Sequence, residues 1–323
     1  MLLTTVFGNI SMMTDLKLLD LRFPQGLVKL LAGPRFGVRG IRELLGVTER
    51  PLLNTMIKPS TGLTPEQGAE LLYRAALGGA DIIKDDEVLS ETEFSPALRR
   101  VELYMKSLLR AEKETGDRKL YAVNITDEPE RTLRRALAAV EAGANALMIN
   151  FLTAGFGLVS SLARSSDLNL PILAHLDFGG ALYASPLHGI SSTLMYGKLA
   201  RLAGIDLLTI PTPYGKFELS RRKYLGMVRN LRIPLYNTNA TFPVIGGAIK
   251  PGHLPMLFED AGTDFVVGAG GAIYGHPMGA QAGARAFRQG IDLLMRDGSL
   301  EAAGTQHLEL RKAIDAWGAS VER

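Results

Sequence analysis

The 323 residues (34.9 kDa) are 46% hydrophobic and 21% charged, an ordinary globular balance that excludes a disordered chain and leaves material for a sizeable core. The net charge is +3, but the basic residues fall in pairs inside helix-like stretches, Arg99-Arg100, Arg134-Arg135 and Arg221-Arg222; solvated helix faces explain them, and no nucleic-acid partner is expected. The lack of cysteine excludes disulfides, thiolate metal sites and a cysteine nucleophile, and no apolar run reaches membrane-spanning length, so no membrane partner is expected.

Met1 to Met13 is moderately apolar but lacks the positive start and small-residue cleavage site of a signal peptide, so a cytoplasmic location is expected. Residues 1–45 read as a linker or N-terminal segment and residues 46–323 as one unit, since a barrel of alternating strands and helices takes about 250 residues. Pro51 to Lys58 reads as a strand and Lys58-Pro59-Ser60-Thr61-Gly62 as the loop after it; Thr64 then caps a helix with Pro65 at its first position. Helical stretches close on Gly79, Gly143, Gly204 and Gly262, and each glycine leads within two residues into a strand: Gly79-Ala80-Asp81-Ile82-Ile83, Gly143-Ala144-Asn145-Ala146-Leu147, Gly204-Ile205-Asp206-Leu207-Leu208 and Gly262-Thr263-Asp264-Phe265-Val266. Leu120 to Ile125, Pro171 to His175 and Phe242 to Gly246 complete eight strands, with helices such as Pro129 to Ala142 and Gly279 to Met295 between or after them. The expected fold is α/β, a closed (β/α)8 TIM barrel. Neither G-x-G-x-x-G after the first strand nor G-x-x-x-x-G-K-[ST] occurs, which disfavours a nucleotide-binding open sheet.

The strand around Ile82-Ile83 ends abruptly in Lys84-Asp85-Asp86-Glu87. Carboxylates crowded at a strand end repel one another unless a cation sits among them, and an oxygen-seeking cation, Mg²⁺ above all, suits them; a solvated acidic loop is the plainer alternative. In a barrel the C-terminal strand ends share one mouth. That mouth would collect Lys58, Lys84, Asp86, Glu87, Asn124, Asn150, His175, Lys216 and the run Gly268-Ala269-Gly270-Gly271. Gly246-Gly247 and Gly270-Gly271 fall where backbone N–H groups of the last two loops meet a phosphate; tight turns are the alternative use of such pairs.

With these residues placed, the chain resembles the large subunit of ribulose bisphosphate carboxylase (RuBisCO) and its RuBisCO-like relatives. The match runs from about Val6 to Trp317, through Val6-Phe7-Gly8-Asn9, Asp20-Leu21-Arg22-Phe23-Pro24, Arg50-Pro51-Leu52-Leu53, Ile57-Lys58-Pro59, Gly78-Gly79-Ala80-Asp81, Lys84-Asp85-Asp86-Glu87, Leu152-Thr153-Ala154-Gly155-Phe156, Gly215-Lys216 and Gly275-His276-Pro277. The resemblance implies Lys84, carbamylated by CO₂, with Asp86 and Glu87 as Mg²⁺ ligands. It makes Lys58 the proton-abstracting base, His175 and Lys216 further catalytic residues, Asn9 the remnant of a motif that reaches the metal, and Gly247, Gly270 and Gly271 a phosphate pocket. It also implies a homodimer and an N-terminal α+β domain ahead of the barrel, of which residues 1–45 would keep only a remnant. Asp177, two residues past His175, is a candidate to touch the substrate or to support a residue that does, and His276 reads as structural.

Departures from the carboxylases shape the expected reaction. Ser60 stands where they carry a second lysine, Leu176 where they use an arginine for the far phosphate, Thr209 where they use a histidine and Gly246 where they use a serine. One phosphate pocket is thus dismantled, and the substrate implied is a monophosphorylated keto-sugar or sugar-acid derivative that is enolised, isomerised or decarboxylated. Rival readings are a metal-independent Schiff-base barrel of aldolase type at Lys58 or Lys84, and a truncated, non-catalytic sugar-phosphate-binding barrel.

Overall fold

The computed structural model describes residues 1–296, 298–300 and 307–319; the last residues of the expected 46–323 unit lie outside the described residues. Eight parallel strands close into a barrel in sequence order: β1 (Leu52–Met56), β2 (Ile82–Lys84), β3 (Leu120–Asn124), β4 (Ala146–Asn150), β5 (Ile172–His175), β6 (Leu207–Pro211), β7 (Phe242–Gly246) and β8 (Val266–Gly268). Pairing of β8 with β1, Val266 opposite Leu52 and Gly268 opposite Asn54, completes the ring. The expected (β/α)8 barrel is the observed fold.

Alternation along each strand separates two apolar cores. Leu52, Ile82, Leu120, Met148, Leu173, Phe242 and Val266 pack inside the barrel, whereas Leu53, Ile83, Tyr121, Leu147 and Val267 face the surrounding helices. Helix Gly37–Leu45 closes the N-terminal end by inserting Ile41 and Leu45 into the inner core. It is fastened by the buried Asp206 carboxylate, which accepts from the Phe36 and Gly37 N–H groups at 2.7 and 2.9 Å. The helix after β1 starts as its sequence demands: Thr64 Oγ1 accepts from Gln67 N–H and Gln67 Oε1 from Thr64 N–H, with Pro65 at the first position.

Four strands, starting at Ile82, Ala146, Leu207 and Val266, begin one to two residues later than expected from the glycine caps. The delay has one cause in three of them: the second residue after the glycine is polar, and its side chain accepts an N–H from the first or second residue of the preceding strand. Asp81 takes the Leu53 N–H at 2.8 Å, Asn145 the Tyr121 N–H at 2.8 Å and Asp206 the Ile172 N–H at 3.0 Å. The fourth such residue, Asp264, accepts instead from Arg42 at 2.9 Å. A Gly-x-Asp/Asn repeat therefore laces the barrel floor, where backbone donors would otherwise be left unpaired. Before the barrel, Lys17–Leu18 pairs in parallel with Gly189–Ile190. No helix among the described residues is long and apolar enough to cross a membrane.

Candidate active site

The charged residues collect where β1, β2 and β5 end. Lys84 closes β2 pointing into the barrel; it is 0% exposed, and its Nζ donates to Glu87 Oε2 at 3.1 Å and to the Asp85 carbonyl at 2.9 Å. Alternation then turns Asp85 outward, and there it serves the scaffold. Its carboxylate accepts from the fully buried Arg100 guanidinium at 3.0 and 3.2 Å, from Tyr121 Oη at 2.8 Å and from the Asn124 N–H at 2.9 Å. The expectation that the acids of this motif share a cation is corrected for Asp85, whose counterion is Arg100; Asp86 and Glu87 remain for the mouth.

Asp86 and Glu87 divide between the two lysines. Asp86 Oδ2 lies 2.5 Å from Lys58 Nζ, which also donates to Ser60 Oγ at 2.8 Å. Glu87 Oε2 lies between Lys84 Nζ and His175 Nε2, the latter at 3.5 Å, and His175 Nδ1 is 3.2 Å from Asp177 Oδ2 but out of line for a hydrogen bond. Asn150 Nδ2 donates to the Glu87 carbonyl at 2.9 Å, and Asn124 Nδ2 holds the Asp86 and Glu87 carbonyls at 3.3 and 3.2 Å, so the loop after β2 is pinned from two neighbouring strands. The two asparagines singled out for the mouth thus act on backbone.

Burial pushes the Glu87 carboxyl up, but Lys84 first and then His175 outweigh it and lower its pKa from 4.5 to about 2. A carboxyl depressed on folding stabilises above its unfolded pKa and loses that contribution as pH falls toward the folded value. With the side chain 22% exposed, the contribution is about 3 kcal/mol at most. Glu87→Gln is expected to be less stable than the parent at pH 7, with the gap closing as pH falls from about 4.5 toward about 2; urea unfolding across that range measures it.

The remaining expected residues sit on the β6, β7 and β8 loops, with one exception. Lys216 is exposed, its Nζ 5.1 Å from the Phe217 ring centre, while its backbone N–H donates to the Gly247 carbonyl at 3.1 Å. That approach requires Gly215, because a Cβ there would lie 1.6 Å from the Gly247 oxygen. Gly270 packs against Met56 and Lys58, where a Cβ would meet Met56 Sδ at 2.3 Å, and Gly271 opens the short helix Gly271–Tyr274 with nothing near it. The exception is Asn9, exposed in a short turn of the N-terminal segment with no side-chain hydrogen bond to the mouth residues. His276 is buried and structural: its ring bonds the Glu309 carbonyl at 3.0 Å and accepts from Met278 N–H at 3.1 Å.

Of the expected ligands only Glu87 belongs to a cluster that could hold a metal, with a mixed oxygen and nitrogen donor set, while Asp86 is paired with Lys58. One ligand atom each from Glu87, His175 and Asp177 lies within 4.8 Å of the others, and the Asn150 Oδ1 beside them is buried without a partner. Asp177 is the member with the weakest signal in the sequence, its place two residues past His175. Lys84 as an ammonium would repel a cation; as a carbamate it would add an oxygen ligand next to Glu87. A broad cavity of about 1060 Å³ lies elsewhere, between helix Arg221–Arg232 and Lys17, and contains none of these residues.

Residues 37–317 match the family model described as ribulose bisphosphate carboxylase large chain, catalytic domain. A "ribulose bisphosphate carboxylase-like protein" of Archaeoglobus fulgidus is 49% identical over 296 residues, covering 92% of this chain and 68% of that protein. A 2,3-diketo-5-methylthiopentyl-1-phosphate enolase of Geobacillus kaustophilus is 40% identical over 317 residues, 98% of this chain and 77% of the enolase. The crystal structure of a RuBisCO-like protein (MtnW) from Alicyclobacillus acidocaldarius superposes with a TM-score of 0.93 at 38% identity, over 98% of this chain and 80% of that one.

Proposed function

Because this chain belongs to the RuBisCO large-chain family, we propose that it is a Mg²⁺-dependent member that enolises a monophosphorylated keto-sugar or sugar-acid derivative and is not a bisphosphate carboxylase. The observation that carries the reading is the buried Lys84 against Glu87, with Asp86 and Lys58 paired beside them at the same rim. Lys84 as its CO₂ carbamate, Asp86 and Glu87 would hold Mg²⁺, which supplies Lewis-acid stabilisation of the negative charge that develops on enolisation.

The chain's own groups do the rest. Lys58 Nζ, on a side chain 32% exposed at the end of β1, moves the proton from the carbon beside the ketone, and its ion pair with Asp86 is what opens for it to act as a base. His175, next to Glu87, orients the substrate's hydroxyl oxygens, and Lys216 on the β6 loop meets a substrate carboxyl or closes over it. Backbone N–H groups at Gly247, Gly270 and Gly271 take the phosphate. Relatives named as enolases of a single-phosphate substrate support the monophosphate. A homodimer and a cytoplasmic location belong to the same proposal.

Deuterium uptake from D₂O into monophosphorylated ketoses tests the reading. Uptake is expected with Mg²⁺ and bicarbonate and is expected to vanish with EDTA. Uptake that survives EDTA and is accompanied by a borohydride-trapped adduct would establish the Schiff-base alternative instead.

A further inference from the structure

The cavity of about 1060 Å³ that lies away from the mouth has a chemistry of its own. One wall is a face of helix Arg221–Arg232, on which Arg222, Gly226 and Arg229 follow at helical spacing with Lys223 beside them, and Lys17 lines another. Residues 191–193 reach the same space because residue 226 is glycine: a Cβ there would lie 2.6 Å from Thr193 Cγ2. Asn230 Nδ2 fixes that approach by donating to the Thr193 carbonyl at 2.9 Å.

The charges nearby are already matched, Arg221 with Glu259 and Asp260, and Asp20 with Lys198. Among the described residues, Lys17, Arg222, Lys223 and Arg229 have no carboxylate partner. Lys17 Nζ donates to the Tyr183 carbonyl at 2.8 Å and to the Ser185 carbonyl, and burial, then the Lys223 ammonium, lowers its pKa. Two further observations point to a guest. Ser192 is 3% exposed and lines the cavity, and its hydroxyl has no hydrogen-bond partner among the described residues. At the helix start Ser220 Oγ accepts the Lys223 N–H at 3.4 Å, which leaves the Arg221 and Arg222 N–H groups for a ligand.

Four like charges around one cavity repel one another unless an anion joins them. A single phosphate carries only about 1.5–2 negative charges at neutral pH, whereas two or three linked phosphates match four cations. A nucleic acid would need such charge extended along the surface, but Arg100 and Arg135 of the other basic pairs are committed to Asp85 and Asp127. We propose that this cavity is a second anion site, separate from the mouth, that binds a small molecule carrying two or more linked phosphates, with Arg222, Lys223 and Arg229 against its charge and the Ser192 hydroxyl donating to a phosphate oxygen.

The inference stands apart from the enolase reading, since none of these residues belongs to the mouth. Calorimetry of the full chain at about 0.15 M salt, where exposed charges are largely screened, compares inorganic tripolyphosphate, ATP and orthophosphate. Tripolyphosphate is expected to bind at least about tenfold tighter than orthophosphate. ATP binding tighter than tripolyphosphate would identify the ligand as a nucleotide, and equal affinity would identify it by its phosphate chain alone; either supports the site. The double variant Arg222→Gln, Arg229→Gln is expected to weaken tripolyphosphate about a hundredfold, about tenfold for each lost hydrogen bond to a charged group, with the unfolding temperature unchanged because both side chains are exposed. Ser192→Ala is expected to weaken it about fivefold, and Lys216→Gln, on the mouth's own loop, to leave it unchanged. Equal affinity for tripolyphosphate and orthophosphate, no binding of either, or tripolyphosphate affinity unaltered in the double variant would overturn the site.

Discussion

Replacing Lys84 by methionine is expected to lower Mg²⁺-dependent deuterium uptake by about a thousandfold, the scale of losing a preorganised charge-stabilising group. The methionine fills the same buried channel but offers neither an ammonium to Glu87 nor an amine to CO₂. Lys84→Arg makes the sharper test: it keeps a positive charge facing Glu87 while removing the amine that carbamate formation needs. If the charge alone mattered, arginine would retain much of the rate; the present account expects it to be as inactive as methionine. Urea unfolding of each variant separates loss of activity from loss of fold.

Arg100→Met is expected to destabilise the protein by about 3–5 kcal/mol, because it strips the counterion from a carboxylate that cannot reach water. Arg100 and Asp85 have fully buried side chains, and Asp85 also organises Tyr121 and the Asn124 backbone. The double variant Arg100→Met, Asp85→Leu is expected to recover part of that loss, since an apolar pair leaves no orphaned charge. A double-mutant cycle by chemical denaturation measures it. Because Asp85 lies between Lys84 and Asp86, the same variant will also loosen the rim; activity falling further than the unfolded fraction explains would reveal that coupling.

The barrel was legible because its signals are local and repeated: eight apolar strand runs, glycine stops and a proline-led cap at Thr64 each specify their own turn of chain. The strand starts were misplaced because the partners of Asp81, Asn145 and Asp206 are backbone groups on a neighbouring strand, a relation absent from any window of adjacent residues. The roles within Lys84-Asp85-Asp86-Glu87 lay between these cases. Once Lys84 faces inward, alternation alone sends Asp85 toward the helices, but only the fold brings Arg100 from helix Ala97–Thr115 to meet it. The pairing of Lys58 with Asp86 depends on two neighbouring strands ending at the same rim, and composition carries no trace of it.

The central claim, that Lys84 captures CO₂ at this rim, is tested most directly by carbon-13 NMR of the protein with labelled bicarbonate and Mg²⁺. The account predicts a carbamate carbonyl resonance in the parent that is missing from Lys84→Met and Lys84→Arg. Deuterium uptake by a parent protein that shows no such resonance would contradict it.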